Sequence, residues 1–165
     1  MKPLFLVVTT LFVSVVCAPL LVKMPIKIIY NPTNSAPKGY YLVQETTPKV
    51  GDYVLSNLSV EVKILAAERL YLPIKIPILK PIAAGYGEHV CVKNAQIFIN
   101  GKAVARLLGR DSKGRILSPW MGCRSLREDE LLLLSTYSPY SFDSRYFGPV
   151  TRKMIIGKAV PLWVF

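Results

Sequence analysis

Residues 4–22 carry no charged side chain, and no other part of the chain stays uncharged for as long. At 1.5 Å per residue a helix of that length spans about 28 Å, the apolar thickness of a bilayer. Lys2 precedes the stretch, and Lys23 and Lys27 follow it. Two readings fit this pattern, an uncleaved membrane anchor and a cleaved export signal; a buried core helix is a third. The small-residue site Val16-Cys17-Ala18 is followed by Pro19, a poor place for cleavage, which favours the anchor. Lysines on both flanks leave the orientation undecided by charge, and the very short tail ahead of the segment favours export of the remainder.

After the apolar segment the pattern changes. Residues 24–39 hold three prolines and no acid, which suits an extended stretch leaving a membrane surface. Short β-branched or aromatic runs bounded by Gly, Pro or Asn then predict strands at 40–44, 53–57, 78–84, 89–93, 96–99, 102–106, 131–135 and 154–165. Asn100-Gly101 between two such runs predicts a two-residue type I′ hairpin. Only 61–72, with Leu65, Ala66, Ala67 and Leu70, reads as a helix, inserted between strands. The expected architecture is mainly β: an antiparallel domain over residues 24–165 with a short helical insertion, behind a transmembrane or signal helix at 1–23.

Composition narrows the function. The chain has 165 residues, 52% of them apolar, and 21 Lys and Arg against 10 Asp and Glu give a net charge of +11. A mean hydropathy of +0.35 argues for a folded, partly lipophilic chain. The basic residues are scattered without interleaved aromatics, so they suit anionic headgroups of a lipid surface, and no nucleic-acid partner is expected. Cys17, Cys91 and Cys123 form no CxxC pair and there is one histidine, so neither a zinc site nor any other metal site is expected. Cys91 and Cys123 would form a disulfide in an oxidising compartment, or stay as two buried thiols. His89, in an alternating apolar run, reads as an outward-facing strand residue; a hydrolase working through it is the competing assignment.

Candidate chemistry falls in three places. Ser35 lies in Asn31-Pro32-Thr33-Asn34-Ser35-Ala36-Pro37-Lys38-Gly39, an open Asn/Pro/Ser turn that either serves only as a turn or exposes a nucleophile. Lys80 interrupts an uncharged strand. Burial there would disfavour its ammonium form, as a general base near neutral pH requires, unless the side chain snorkels from a strand edge. Asp143 and Arg145, two apart, would share one face of an extended chain and form an ion pair.

In this order and behind an apolar segment, these places resemble the type I signal peptidases, most closely the TraF-type conjugative-transfer peptidases. Ser35-Ala36-Pro37-Lys38-Gly39 matches the family's Ser-x-Pro-x-Gly and Asp143-Ser144-Arg145-Tyr146-Phe147-Gly148 its final box, while Lys80 is followed by Gly87-Glu88 where the lysine box has Gly-Asp, the acid kept in type but changed in identity. Gly157-Lys158-Ala159 and Trp163 are similar to its closing strand. The resemblance implies a serine-lysine dyad without a cofactor: Ser35 as nucleophile, Lys80 as general base, and the Ser35 N–H with the Thr33 hydroxyl as oxyanion donors. Ser141 would contact the lysine, and Asp143 and Arg145 would support the site. Pro81, Ala84 and Ser135-Thr136-Tyr137 depart from the Arg, Gly and Gly-Asp-Asn of general signal peptidases, which points to the conjugation branch.

The expected activity is then that of a membrane-anchored serine endopeptidase in a bacterial inner membrane, its domain facing the periplasm. Its partner would be a membrane-bound, pilin-like precursor, which it cuts or cyclises through the acyl-enzyme. Independently of the resemblance, Ser35 lies 13 residues beyond Val22, within about 45 Å of a bilayer even if fully extended. That suits a substrate cut where its own apolar segment emerges. The alternative is a catalytically silent structural component of a conjugation or secretion apparatus. Oligomeric state is left open by the sequence.

Overall fold

The computed structural model describes residues 7–9, 11–14 and 28–165. Residues 7–9 and 11–14 are helical, and the rest of the expected anchor at 1–23, with its boundary to the following domain, lies outside the described residues. Among the described residues no helix is long and apolar enough to cross a membrane.

Among the described residues eleven strands form two antiparallel sheets. The larger has the order β1 (Ile28–Asn31), β2 (Gly39–Gln44), β11 (Ile155–Val164), β3 (Tyr53–Ser56), β4 (Ile78–Ala84), β9 (Glu130–Leu133) and β10 (Val150–Thr151). The smaller has the order β7 (Lys102–Arg106), β6 (Gln96–Ile99), β5 (His89–Lys93) and β8 (Cys123–Ser125). Successive side chains in a strand point to opposite faces, and β2 obeys this: Gly39, Tyr41 and Val43 are buried while the residues between them are more open. The run Leu131–Leu134, in and just after β9, is covered on both faces. Leu131 and Leu133 join Val54, Ile82 and Val150 in one apolar cluster, whereas Leu132 and Leu134 join Ala84, Val90, Val92, Ile97 and Leu126 in another. Such two-sided burial gives a continuous leucine run in place of alternation.

The eight expected strands all form, with ends moved by one or two residues. The two-residue loop Asn100-Gly101 connects Ile99 to its partner Lys102, with both central residues at positive φ, 50° and 82°, as the type I′ turn requires. The helix differs more. It is α1 (Val60–Glu68), capped by Ser59, and it stops four residues short of the expected end because Leu70 turns to φ 58°. β8 and β10, three and two residues long, are too short for a pattern to announce them, and β1 lies within the proline-bearing stretch expected to be extended.

Cys91 and Cys123 face each other in the β5–β8 register and are joined in a disulfide, separated by 32 residues of chain. In the chain-entropy account a loop of that length contributes about 3–4 kcal/mol. Reducing the bond with dithiothreitol is expected to lower the denaturant midpoint accordingly. A Cys91→Ala/Cys123→Ala chain should start from the lower midpoint and ignore the reductant.

Candidate active site

β1 and β2 are joined by the loop that carries Ser35, and the loop is stitched from inside by Asn31. This residue is buried at the end of β1, opposite Gly39. Its Nδ2 donates to the carbonyls of Thr33, Ala36 and Pro37, each at 3.1 Å, and its Oδ1 accepts from the Thr33 N–H at 3.1 Å and the Thr33 hydroxyl at 2.7 Å. The Pro37 carbonyl also accepts from the Tyr41 hydroxyl at 2.7 Å. Gly39 closes the loop at φ 141°, and a Cβ there would collide with the Trp163 carbonyl of β11. The fixed glycine of the Ser-x-Pro-x-Gly segment thus has a steric cause.

Ser35 itself is half-buried, and its Oγ lies 3.0 Å from Thr33 Oγ1. With the Thr33 hydrogen directed to Asn31, the hydrogen between these two hydroxyls belongs to Ser35. Thr33 therefore stands beside Ser35 as expected of an oxyanion donor, but it accepts from Ser35 and donates to Asn31.

Lys80 is the third residue of β4 and is 3% exposed, so it does not snorkel. Burial pushes its pKa down to about 8; the Asp143 carboxylate opposes the shift and Arg145 adds to it. Lys80 Nζ donates to Ser141 Oγ at 2.8 Å. Among the described residues no hydrogen bond joins Lys80 to Ser35. Their segments nevertheless pack together, since Ala36 and Leu79, the neighbours of the two, share one buried cluster with Tyr41 and Ala159.

Ser141, Asp143, Ser144 and Arg145 are all buried. The expectation that Asp143 and Arg145 pair across an extended chain is corrected: they pair at a helix start. Asp143 caps α2 (Ser144–Phe147), accepting from the Arg145 N–H at 3.2 Å, and the guanidinium then folds back onto the carboxylate through Nε and Nη2, both at 2.8 Å. Arg145 also donates to the Ser135, Ser138, Pro139 and Arg106 carbonyls, and Leu133 N–H donates to Ser144 Oγ at 2.9 Å. Phe142, stacked 6.0 Å from Tyr146 and tilted against Tyr71 at 5.0 Å, ties the box to the chain that follows α1. Gly148 ends the box at φ 76°, against the Trp120 ring.

One residue joins this box to the serine loop. The Ser135 hydroxyl, buried, donates to the carbonyl of Ser35, while the Ser135 N–H donates to Asp143 Oδ2 at 3.0 Å.

The sequence of the signal peptidase family, peptidase S26, matches residues 1–164. The chain belongs to the peptidase S26 signal peptidase family. It is 33% identical over 136 residues to the plasmid transfer protein TraF of Escherichia coli, covering 76% of this chain and 77% of that one. To the conjugal transfer protein TraF of Agrobacterium tumefaciens strain 15955 it is 32% identical over 146 residues, covering 82% and 81%. The crystal structure of a signal peptidase I from Enterococcus faecalis V583 superposes with a TM-score of 0.40 at 20% identity, over 70% of this chain and 98% of that one.

For this member of the peptidase S26 family, the remaining candidates fall outside the cluster. His89 is exposed at the start of β5 in the smaller sheet, and its ring makes no hydrogen bond to Ser35 or Lys80. Glu88, matched to the lysine box, holds the turn between β4 and β5, accepting from the Gly85 N–H at 2.8 Å and from Asn100 at 3.3 Å. Asn31 and Ser135 are the two residues of the cluster that sequence reasoning did not single out. For Asn31 the available signal was an Asn two residues before Thr33, an Asx-turn spacing. For Ser135 it was the departure from glycine.

Proposed function

We propose that the chain is a membrane-anchored serine endopeptidase that processes an exported, pilin-like precursor for a conjugative transfer apparatus, with Ser35 as nucleophile and Lys80 as general base. The observation that carries this reading is the buried Lys80, its pKa lowered to about 8 and its Nζ donating to Ser141, with its neighbour Leu79 in the same buried cluster as Ala36 of the serine loop. A structural lysine gains nothing from such a place, whereas a base near neutral pH needs it. Family membership supports a peptidase, and the transfer proteins among its relatives support a conjugation role.

In this mechanism Ser35 Oγ turns from Thr33 toward Lys80 as substrate enters, a tightening common in sites without substrate. Its proton passes to the neutral Nζ while Oγ bonds to the scissile carbonyl carbon. The developing oxyanion is received by the Ser35 N–H and by the Thr33 hydroxyl once it is released from Asn31. Collapse breaks the C–N bond, and the Lys80 proton goes to the leaving amine. Water, deprotonated by Lys80, then resolves the acyl-enzyme; an amine from the pilin's other end would instead close a ring. Ile28, Tyr30, Tyr40, Trp163 and Phe165 are exposed on the β1–β2–β11 side. They suit a lipid surface at the periplasmic face of an inner membrane, where such a precursor emerges.

The test is processing of a pilin-type precursor by the full-length chain, read by intact mass. Ser35→Ala is expected to give no product, and a wild-type product lighter by one water than the linear peptide marks cyclisation. Product from Ser35→Ala would leave the structural-component reading in its place. A second readout is pH. Protonated Lys80 cannot accept the serine proton, so the single-turnover rate should rise about tenfold per pH unit up to about 8 and level off above it. A rate flat between pH 6 and 9 would remove Lys80 as the base.

A further inference from the structure

We propose that Ser135 is a positioning residue that holds the nucleophile in register with its base, resting on the serine-lysine reading above. In the larger sheet the two reacting residues are far apart in connection. Ser35 hangs from the β1–β2 hairpin, Lys80 sits in β4, and β11 and β3 lie between β2 and β4. No hydrogen bond joins the two side chains, so their separation is set by whatever ties the loop to the lysine box. Beyond the sheet itself, in which β11 and β3 bridge β2 and β4, two ties act directly on the loop. One is the apolar cluster that Ala36 and Leu79 share with Tyr41 and Ala159, which is not directional. The other is Ser135.

Ser135 follows β9 and is 1% exposed. All of its polar groups face the site. Its hydroxyl donates to the Ser35 carbonyl and accepts from the Tyr137 N–H at 3.2 Å, its N–H donates to Asp143 Oδ2, and its carbonyl accepts from Arg145 Nη2 at 2.8 Å. The backbone of Ser135 is therefore clamped by the same ion pair that orders the segment presenting Ser141 to Lys80. Its side chain carries that order across to the serine loop, 100 residues away in sequence. Fixing the Ser35 carbonyl fixes the peptide plane that follows the nucleophile and with it the direction of the Ser35 Cα–Cβ bond. The hydroxyl touches neither Oγ nor Nζ, so its action is geometric.

The experiment is single-turnover cleavage of a pilin-type precursor by full-length enzyme in detergent, with enzyme concentration and pH varied. Ser135→Ala and Ser135→Gly both delete the hydroxyl, and whichever accumulates carries the test; Ser135→Thr restores it. The expected result is a rate constant 10- to 100-fold lower for the deletion, with unchanged half-saturation and an unchanged pH midpoint, and at least partial recovery in Ser135→Thr. A residue that only stabilised the fold would leave the rate constant of the folded fraction intact. The inference is overturned by a wild-type rate constant in the deletion variants, by a loss confined to half-saturation, or by Ser135→Thr as slow as Ser135→Ala. Should Ser35→Ala still yield product, the peptidase reading falls first. Loss with Ser35→Ala beside full activity in Ser135→Ala removes the clamp alone.

Discussion

Replacing Lys80 by methionine is expected to slow precursor processing by about 10⁴-fold or more while making the folded protein harder to unfold at pH 7. The first effect is loss of the general base, on the scale measured when one member of such a catalytic unit is deleted. The second follows from linkage. Lys80 titrates near 8 in the folded chain and near its ordinary 10.5 when unfolded, so below pH 8 both states are protonated and the native state carries the whole cost of a buried ammonium. That cost is on the order of 3 kcal/mol, and it declines as pH rises from about 8 to 10.5, where the native state has already released its proton. Methionine fits an unbranched site and carries no charge. Urea titrations should therefore show the variant ahead of wild type at pH 7 and the gap closing by pH 10.5. A variant less stable than wild type at pH 7 would mean that Lys80 is not held against its solvation, and the case for a tuned base would go with it. Exchange of stability for activity is expected where a site is built from a group that would rather be in water.

The second large effect concerns Arg145. Changing it to methionine removes the one cation that, among the described residues, is bonded to Asp143, a carboxylate with no exposed surface. Breaking a buried pair from one side costs about 3–5 kcal/mol, because the remaining carboxylate keeps its backbone N–H donors but has no counter-charge to offset its burial. Against a typical total of 5–15 kcal/mol this is expected to remove most of the stability, visible as a collapsed denaturant midpoint or degradation in cells. Arg145→Lys should recover little, since an ammonium cannot bridge both carboxylate oxygens and also reach the four carbonyls that the guanidinium serves. Arg145→Met combined with Asp143→Leu should be milder than Arg145→Met alone. A double variant as unstable as the single one would show that the carbonyl bonds, and not the ion pair, carry the effect.

The residues that the sequence made legible share a property. Lys80 stands out because a charge in an apolar strand is anomalous in itself, and Ser35 because Pro37 and Gly39 restrict the chain around it. The strands at 78–84 and 89–93 were readable from β-branched and apolar runs between turn residues. Asp143 and Arg145 were recognised as a pair but in the wrong backbone, since two residues apart serves an extended chain and a helix cap equally until Ser144–Phe147 is seen to coil. α1 ended early because Leu70, favourable in a helix by propensity, instead adopts the left-handed turn that carries Tyr71 toward Phe142. Ser135 was visible only as a departure from glycine. Its contact is with a carbonyl 100 residues earlier, and local pattern holds no record of that.

β11 has a consequence in time. It is made after every other strand of its sheet, yet it lies between β2 and β3, joining the hairpin that carries Ser35 to the strands that lead to Lys80. A chain still emerging from a ribosome or a translocation channel holds both residues but not the strand that brings their halves together. On the serine-lysine reading proposed above, the two halves of the dyad meet only once synthesis has passed β11, so a partly made chain would be an inert one.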